Sequence, residues 1–398
     1  MLDLLTRFRQ YRYQLRQAWQ MQRLNRVDEA ALAQQHEPRA ERVLIVRHDS
    51  IGDYLLYRPW LRRMAEELHA RGCHITWAAN AIWTPLARDW DADLFDELLP
   101  IDFGRFQRDL PYRATTVATL GAGGYGALIY PLHVREPAVE NFFRFLRAPE
   151  RVASEGEHRT GPWFEALDQG YTRLLPTARA TRFEYDRNQE FFENWRGQPE
   201  PKLAPLCVPT PDAAVTRFQT ELGPKYLVLF PGASARAKRW PAARFAQLAL
   251  ALHERYGSQF GLVLAGSPDD TIHARRIIHA AGEAPWLTNF CGRTSLPELA
   301  ALLRGARLLV SNDTVAAHLA VQVNTPCITV LMGENYGKFF PYPAALHQAP
   351  SHCLFPPSME ARFAQNNFTR PNFTPKIGDI SSERVFKAAI ELLSDCLD

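Results

Sequence analysis

The side chains best placed for chemistry fall in three short stretches. Asp53 stands in RVLIVRHDSIGDYLLYRP (Arg42–Pro59), where an apolar, β-rich run meets a Ser-Ile-Gly-Asp turn that opens a helix. That places one carboxylate at the carboxyl end of a buried strand, where open α/β sheets keep their ligands. Ser234 and Lys238 stand in LVLFPGASARAKRWP (Leu227–Pro241), a small-residue loop after a second buried strand. The serine hydroxyl can donate to phosphate, and the lysine is a mobile point charge, the usual partner of a diphosphate. Asp313, Thr314 and His318 stand in LLVSNDTVAAHLA (Leu308–Ala320), at a helix start whose free N–H groups suit an anion. Together they describe an enzyme that activates a hydroxyl with a carboxylate while holding a phosphorylated donor.

Each residue also has a plainer reading. Asp53 could equally serve as a helix cap, which aspartate does well. Lys238 and Arg239 could be solvated loop charges, although their small-residue neighbours argue for phosphate; the spacing of a Walker A loop is absent. His318 lies one helical turn from Thr314, so both can face a cleft, yet a lone histidine on an apolar helix is more often a satisfied core residue. Asp269 follows FGLVLAGSP at another strand end, placed to accept ribose hydroxyls. GAGGYG (Gly121–Gly126) looks like a dinucleotide fingerprint but precedes the strand ALIYPLHV, so it fails the context test. His133 and Arg135, just after that strand, are the better candidates for touching an acceptor. No histidine set has metal-ligand spacing and no GxSxG elbow is present, so neither a metal nor a cofactor is expected.

The elements that must position these residues read as two α/β domains. A chain of 398 residues with 46% hydrophobic content can fill two cores, and a net charge of +3 argues against a nucleic-acid partner. Six cysteines are scattered with no C-x-x-C, as expected of reduced thiols. No apolar run approaches the roughly 18 residues of a membrane span, and no signal peptide is evident, so a cytoplasmic location is expected. Residues 1–40 read as a basic amphipathic helix, with Arg7, Arg9, Arg12, Arg16, Arg23 and Arg26 among Leu4, Leu5, Phe8, Tyr11, Leu15, Trp19 and Leu24. It can lie on an anionic membrane face or pack on its own domain. Residues 41–205 form the first Rossmann-like unit, with strands RVLIV, HITWAA, LFDELLP and ALIYPLHV, and Pro201–Pro211 marks a linker. Residues 206–380 restart the rhythm with YLVLF, FGLVLAG, LTNF, RLLV and CITVLM. A last helix, 381–398, can pack back across the hinge.

Taken in order, VLIVRHDSIGD, PGAS…KRWP, VLAGSPDD, NFCGRTSLPELAALL and SNDTVAAHLAVQVNTPCITVL resemble glycosyltransferase family 9, the ADP-heptose:lipopolysaccharide heptosyltransferases, from about Arg42 to Pro343. The resemblance implies a GT-B fold, two Rossmann-like domains facing a central cleft, with the acceptor on the first and the nucleotide-sugar donor on the second. It implies an inverting, metal-independent transfer from ADP-heptose or a similar donor to a glycan or glycolipid acceptor, with peripheral contact at the inner membrane. Carried over by position, Asp53 is the general base, Ser234 and Lys238 hold the diphosphate, and Asp269 the ribose. Asp313 and Thr314 hold the donor's sugar and phosphate region, and His318 matches the family's histidine. Val315 stands where the family usually has glycine, which restricts backbone approach. ENYGKFFPYP (Glu334–Pro343) is a polar and aromatic loop that can read the donor's base or sugar, or simply pack on the surface. Two rival functions are a nucleotide-sugar epimerase on the same fold and a non-catalytic nucleotide-sugar-binding protein.

Overall fold

The computed structural model describes residues 2–201, 206–369 and 371–394, with the side chains of residues 2–11, 13 and 14 outside that description. Arg7, Arg9, Leu4, Leu5, Phe8 and Tyr11 therefore lie outside it, as does Pro205 of the linker. The chain divides into two units, Met1–Pro201 and Lys202–Asp398.

The first unit holds a six-stranded parallel sheet. Its strands are β1 (Arg39–Arg47), β2 (His74–Asn80), β3 (Glu97–Ile101), β4 (Tyr125–Tyr130), β5 (Glu150–Ser154) and β6 (Arg173–Leu175), in the order β3-β2-β1-β4-β5-β6. The second repeats it with β7 (Tyr226–Phe230), β8 (Gly261–Leu264), β9 (Leu287–Asn289), β10 (Leu308–Asn312), β11 (Cys327–Val330) and β12 (Ser351–Leu354), in the order β12-β11-β10-β7-β8-β9. Both are doubly wound sheets whose strand order reverses between the first and fourth strands, the place where such sheets bind ligands. The central strands are apolar on both faces because helices cover both: Val43, Leu44, Ile45 and Val46 are buried, as are Leu227, Val228 and Leu229.

Elements with that continuous apolar signal appear where the sequence places them, whereas β5, β6 and β12 carry too little of it to be read. β6 and β12 are edge strands of three and four residues. The strand read as starting at Arg42 begins at Arg39. Of the fingerprint-like glycines, Gly126 serves β1–β4 packing, since a Cβ on it would lie 2.6 Å from the Arg39 carbonyl oxygen.

The first helix, Leu2–Ala31, is part of the first unit's core over its second half. Leu24 and Leu32 are buried, and so is Asp28. The Asp28 carboxylate accepts from Arg113 Nε and Nη2, both at 2.6 Å, and from Asn141 Nδ2 at 2.8 Å. Of the two readings open for this segment, packing on its own domain holds for the second half, which supplies a buried ion pair. The last helix, Ser382–Ser394, spends its apolar face on its own unit: Val385, Ala388, Ala389, Leu392 and Leu393 join the core of the second sheet, packed against the helix Ala242–Tyr256.

Candidate active site

In the first unit the turn after β1 carries the candidate carboxylate, Asp53. Ser50 caps the helix Ile51–Ala70, and its backbone N–H donates to Asp53 Oδ2 at 3.2 Å while its hydroxyl donates to the same oxygen. Asp53 is therefore a capping-box residue, and it remains half-exposed at the strand's carboxyl end. Asn80 Nδ2, from the end of β2, donates to the carbonyls of His48 and Asp49, and Trp83 Nε1 donates to that of Asp49. These bonds satisfy two carbonyls of the turn and tie it to the end of β2 and to Trp83.

Below the turn lies Arg47, fully buried. Its Nη1 donates to the Pro131 carbonyl and to Asn188 Oδ1, each at 3.2 Å. Its Nη2 lies 2.6 Å from Asp49 and 3.7 Å from Glu184, and its guanidinium stacks 3.8 Å over the Tyr57 ring. Burial pushes the Asp49 carboxyl up to about 7, with Arg47 opposing and Asp53 adding to the rise. Burial, then the charge of Asp53, pushes Glu184 up to about 8. His48, 2.7 Å from the Tyr130 hydroxyl, is held down to about 4 by burial and by Arg47. The sequence reading missed Arg47, Asp49 and Glu184. For Arg47 the only sequence signal was a charged residue ending an otherwise apolar strand.

The two acceptor candidates part company. Arg135 is buried and saturated, with Glu140 at 2.6 Å and Asp168 at 2.6 Å, so it acts as a structural ion-pair residue. His133 lines a pocket of about 260 Å³ together with Ser154, Thr177, Asn188 and Glu190.

In the second unit the turns after β7 and β10 are locked together. Asn312, buried at the end of β10, donates from Nδ2 to the carbonyls of Pro231 and Gly232 and accepts from the Trp240 backbone N–H at 3.0 Å. One amide thus clamps both ends of the Pro-Gly-Ala-Ser loop. Lys238 Nζ reaches across to Asp313 Oδ2 at 2.7 Å, and Ser234 is exposed on the loop. Thr314 caps the helix Val315–Gln322, its hydroxyl accepting from the Ala316 N–H. Val315 is its first helical residue and has no positive φ, so the missing glycine costs no backbone strain here. Lys238 and Asp313 line a pocket of about 350 Å³ with Met332, Gly333, Tyr336 and Phe355, and Glu334–Phe340 form much of its wall. The loop that could have been mere surface is therefore a pocket wall, and Tyr336 stacks on Phe368 at 5.1 Å.

Two other expectations shift. His318 is buried, its Nδ1 2.7 Å from the Tyr342 hydroxyl and its ring 4.7 Å from Phe340, so it is a satisfied core histidine behind the pocket wall. Asp269 is exposed on a short 3-10 turn, and its neighbour Asp270 is the ordered carboxylate, accepting from Ser267 N–H and hydroxyl at 2.9 and 2.6 Å. Among the described residues no three His, Cys, Asp or Glu side chains are arranged to hold a metal ion.

Residues 142–353, a little over half of the chain, match the family model of glycosyltransferase family 9 (heptosyltransferase). That stretch includes every lining residue of the Lys238–Asp313 pocket except Phe355, and leaves Asp53 outside. Lipopolysaccharide heptosyltransferase 3 of Escherichia coli is 34% identical over 208 residues, 48% of this chain and 56% of that relative. Heptosyltransferase 2 of the K12 strain is 28% identical over 50% of this chain and 57% of that relative. The chain thus spans little more than half the length of these two curated relatives. In fold it resembles a family 9 glycosyltransferase from Veillonella parvula (22% identical, TM-score 0.67, 91% of this chain and 99% of that one). It also resembles ADP-heptose lipopolysaccharide heptosyltransferase II of E. coli (20% identical, TM-score 0.63, 90% and 100%). The two doubly wound sheets are those of the GT-B fold.

Proposed function

The chain belongs to glycosyltransferase family 9, and from that premise we propose that it moves a heptose or related sugar from a nucleotide-diphosphate donor to a hydroxyl of a lipopolysaccharide or other cell-envelope glycan, with inversion and without a metal ion. The observation that carries this reading is the Lys238–Asp313 pair lining a pocket walled in large part by Glu334–Phe340, beside the helix start at Thr314. An ammonium and helix N–H groups are the chemistry that neutralises a departing diphosphate. Ser234 on the adjoining loop can donate to the same phosphates, and Tyr336 offers a face to the base. In the first unit Asp53 takes the hydroxyl proton as the acceptor oxygen bonds to the anomeric carbon and the bond to phosphate breaks. His133 contributes to acceptor binding from its own pocket.

The test is Asp53→Asn, measured as sugar transfer from ADP-heptose to a heptose-deficient lipopolysaccharide core. Asparagine keeps the size and can still cap the helix, so nucleotide binding and the melting curve should be unchanged. Turnover should fall about 10²–10⁴-fold. An unaltered turnover number would leave Asp53 as a cap and nothing more.

The same reading includes a peripheral contact with the cytoplasmic face of the inner membrane. Among the described residues no helix is long and apolar enough to cross a membrane. At about 100° per residue, Arg12, Leu15, Arg16, Trp19, Arg23 and Arg26 fall within a sector of roughly 100° of the first helix, opposite Leu24 and Asp28. Leu15 is 51% and Trp19 64% exposed, and Arg23 lies 5.5 Å over the Trp19 ring. An apolar pair amid exposed arginines suits an anionic bilayer surface. Trp19→Glu should weaken salt-sensitive co-sedimentation with anionic vesicles; deletion of the helix is no test, because it removes the buried Asp28.

A further inference from the structure

The pocket that holds His133 lies at the carboxyl ends of three neighbouring strands, β4, β5 and β6. Pro131 follows β4, Ser154 ends β5 and Thr177 follows β6, while Asn188, Glu190 and Phe191 come from the helix Glu184–Arg196. Its charged groups satisfy one another. The Glu190 carboxylate accepts from the Thr177 hydroxyl at 2.8 Å and the Ala178 N–H at 3.0 Å, and it pairs with Arg187 at 3.1 Å and Arg182 at 3.3 Å. Arg187 also donates to the carbonyls of Ala178 and Ala180 at 2.7 and 2.9 Å. The neutral groups keep capacity. Ser154, buried, accepts from the Gly156 N–H at 3.0 Å and retains its own hydroxyl proton to donate. Asn188, also buried, accepts from Arg47 and gives one amide hydrogen to the Glu184 carbonyl at 2.8 Å, which leaves the second. Phe191 and the two prolines Pro131 and Pro176 supply apolar faces.

We propose that this pocket takes one uncharged sugar residue of the acceptor, held through its hydroxyls. That the sugar belongs to an acceptor rests on the proposed transfer; that it is an uncharged ring rests on the pocket's own groups. At about 260 Å³ the pocket is smaller than the roughly 300–1,000 Å³ that drug-sized ligands fill, which suits a single ring. A pyranose offers hydroxyl oxygens that accept from Ser154 and Asn188, and a C–H face that lies on Phe191. A carboxylate or phosphate on the same ring would lose its water beside Glu190. It would find no arginine or lysine of the lining to pair with, because Arg187 is taken. The place adjoins the candidate base. Arg47 donates to the Pro131 carbonyl and to Asn188 at 3.2 Å each, and it lies 2.6 Å from Asp49 in the turn that carries Asp53. A ring held here is a neighbour of the hydroxyl that reacts.

Two small ligands isolate the charge: the methyl glycoside of heptose and the phosphate ester of that glycoside. Their binding to the full chain is measured by saturation-transfer NMR titration, with ADP affinity and melting temperature as controls for folding. The neutral glycoside should bind about tenfold more tightly than its phosphate ester, because the pocket gives a buried charge no partner. Ser154→Ala removes one donor and should weaken the neutral glycoside about three- to tenfold, with ADP affinity unchanged. His133→Phe fills the pocket and should abolish glycoside binding, which keeps the site testable if the serine variant does not fold. In transfer assays Ser154→Ala should raise the acceptor KM by the same factor and leave kcat and the donor KM alone. A phosphate ester that binds as tightly as the neutral glycoside would overturn the uncharged class. Binding of neither glycoside, or neutral binding untouched by both substitutions, would overturn the site. Glycoside binding as expected in a chain that moves no sugar from ADP-heptose would count against the transfer reading instead, and leave the sugar pocket in place.

Discussion

After β1, one guanidinium faces carboxylates at 2.6 and 3.7 Å with Asp53 beside them; after β7 and β10, one ammonium faces one carboxylate at 2.7 Å. The two places are equivalent in the two sheets, both at the reversal of strand order. They differ in how charge is settled. The first has surplus negative charge in a buried setting, which repels an anion and favours proton uptake. The second is balanced and rigidly clamped by Asn312, so its lysine can exchange one anionic partner for another while the loop stays in place. On the proposed reading, a proton acceptor and a phosphate holder arise from the same strand–turn–helix plan with different charge counts.

The comparison would blur if the first unit were simply poor at settling charge. Asp28 and Arg113 show otherwise, since both are fully buried and the pair is bidentate at 2.6 Å. Asp28→Ala should cost about 3–5 kcal/mol, because it strands a buried guanidinium. Denaturant unfolding monitored by tryptophan fluorescence measures it. A loss near zero would mean that water reaches Arg113 and that surplus charge at Arg47 is no special feature.

Lys238→Ala tests the other side. It should weaken nucleoside-diphosphate binding by about 1.5–3 kcal/mol while leaving the uncharged nucleoside almost unaffected. Calorimetric titration of both ligands gives the difference. Equal losses would show that the lysine supports Asp313 and the loop without touching phosphate, and the contrast between the units would then lose its functional meaning.

The surplus itself has a pH signature. Asp49 at about 7 and Glu184 at about 8 sit well above their ordinary unfolded values near 4, so the folded unit binds more protons between those limits. Their contribution is fully present below pH of about 4 and is lost as pH rises through 7 and 8. His48, held at about 4, has the opposite sign: its contribution is present above about 6.5 and lost as pH falls towards 4. Two carboxyls outweigh one imidazole, so stability of the first unit should fall as pH rises across the whole range, by about 1–3 kcal/mol from pH 6 to pH 8.5. Glu184→Gln should flatten that fall, as thermal melts across the range would show.

What could be read from sequence follows the same division. Central strands buried on both faces announce themselves as apolar runs, and the polar residues immediately after them mark Asp53, Lys238 and Asp313. The edge strands β6 and β12, short and only partly buried, have no such signal. Glu184 opens a polar helix and looks like an ordinary first-turn acid; its meaning comes from Arg47, which also bonds Asn188, 141 positions away. His318 and Arg135 are hard to read for the converse reason. Their partners, Tyr342 at 24 positions and Asp168 at 33, are tertiary and turn suggestive side chains into satisfied ones.

The smallest effect gives the finest comparison, because one capping box occurs in both settings. Ser295 and Glu298 cap the helix Leu296–Gly305 in the second unit as Ser50 and Asp53 cap Ile51–Ala70 in the first. Glu298 is held down to about 2 by the Ser295 backbone N–H and by Arg217, so its contribution is present above about 4.5 and lost as pH falls towards 2. Ser295→Ala should cost about 1 kcal/mol, and leave turnover alone. Ser50→Ala removes a hydroxyl of the same kind, with a comparable loss of stability expected from the cap. Here, however, the hydroxyl also donates to the carboxylate proposed as the general base, so its removal changes a direct contact of that group. Ser50→Ala should therefore change the pH dependence of kcat as well as the melting temperature. If both serine variants shift only the melting temperature, the two boxes are equivalent caps and Asp53 owes nothing to the turn that carries it.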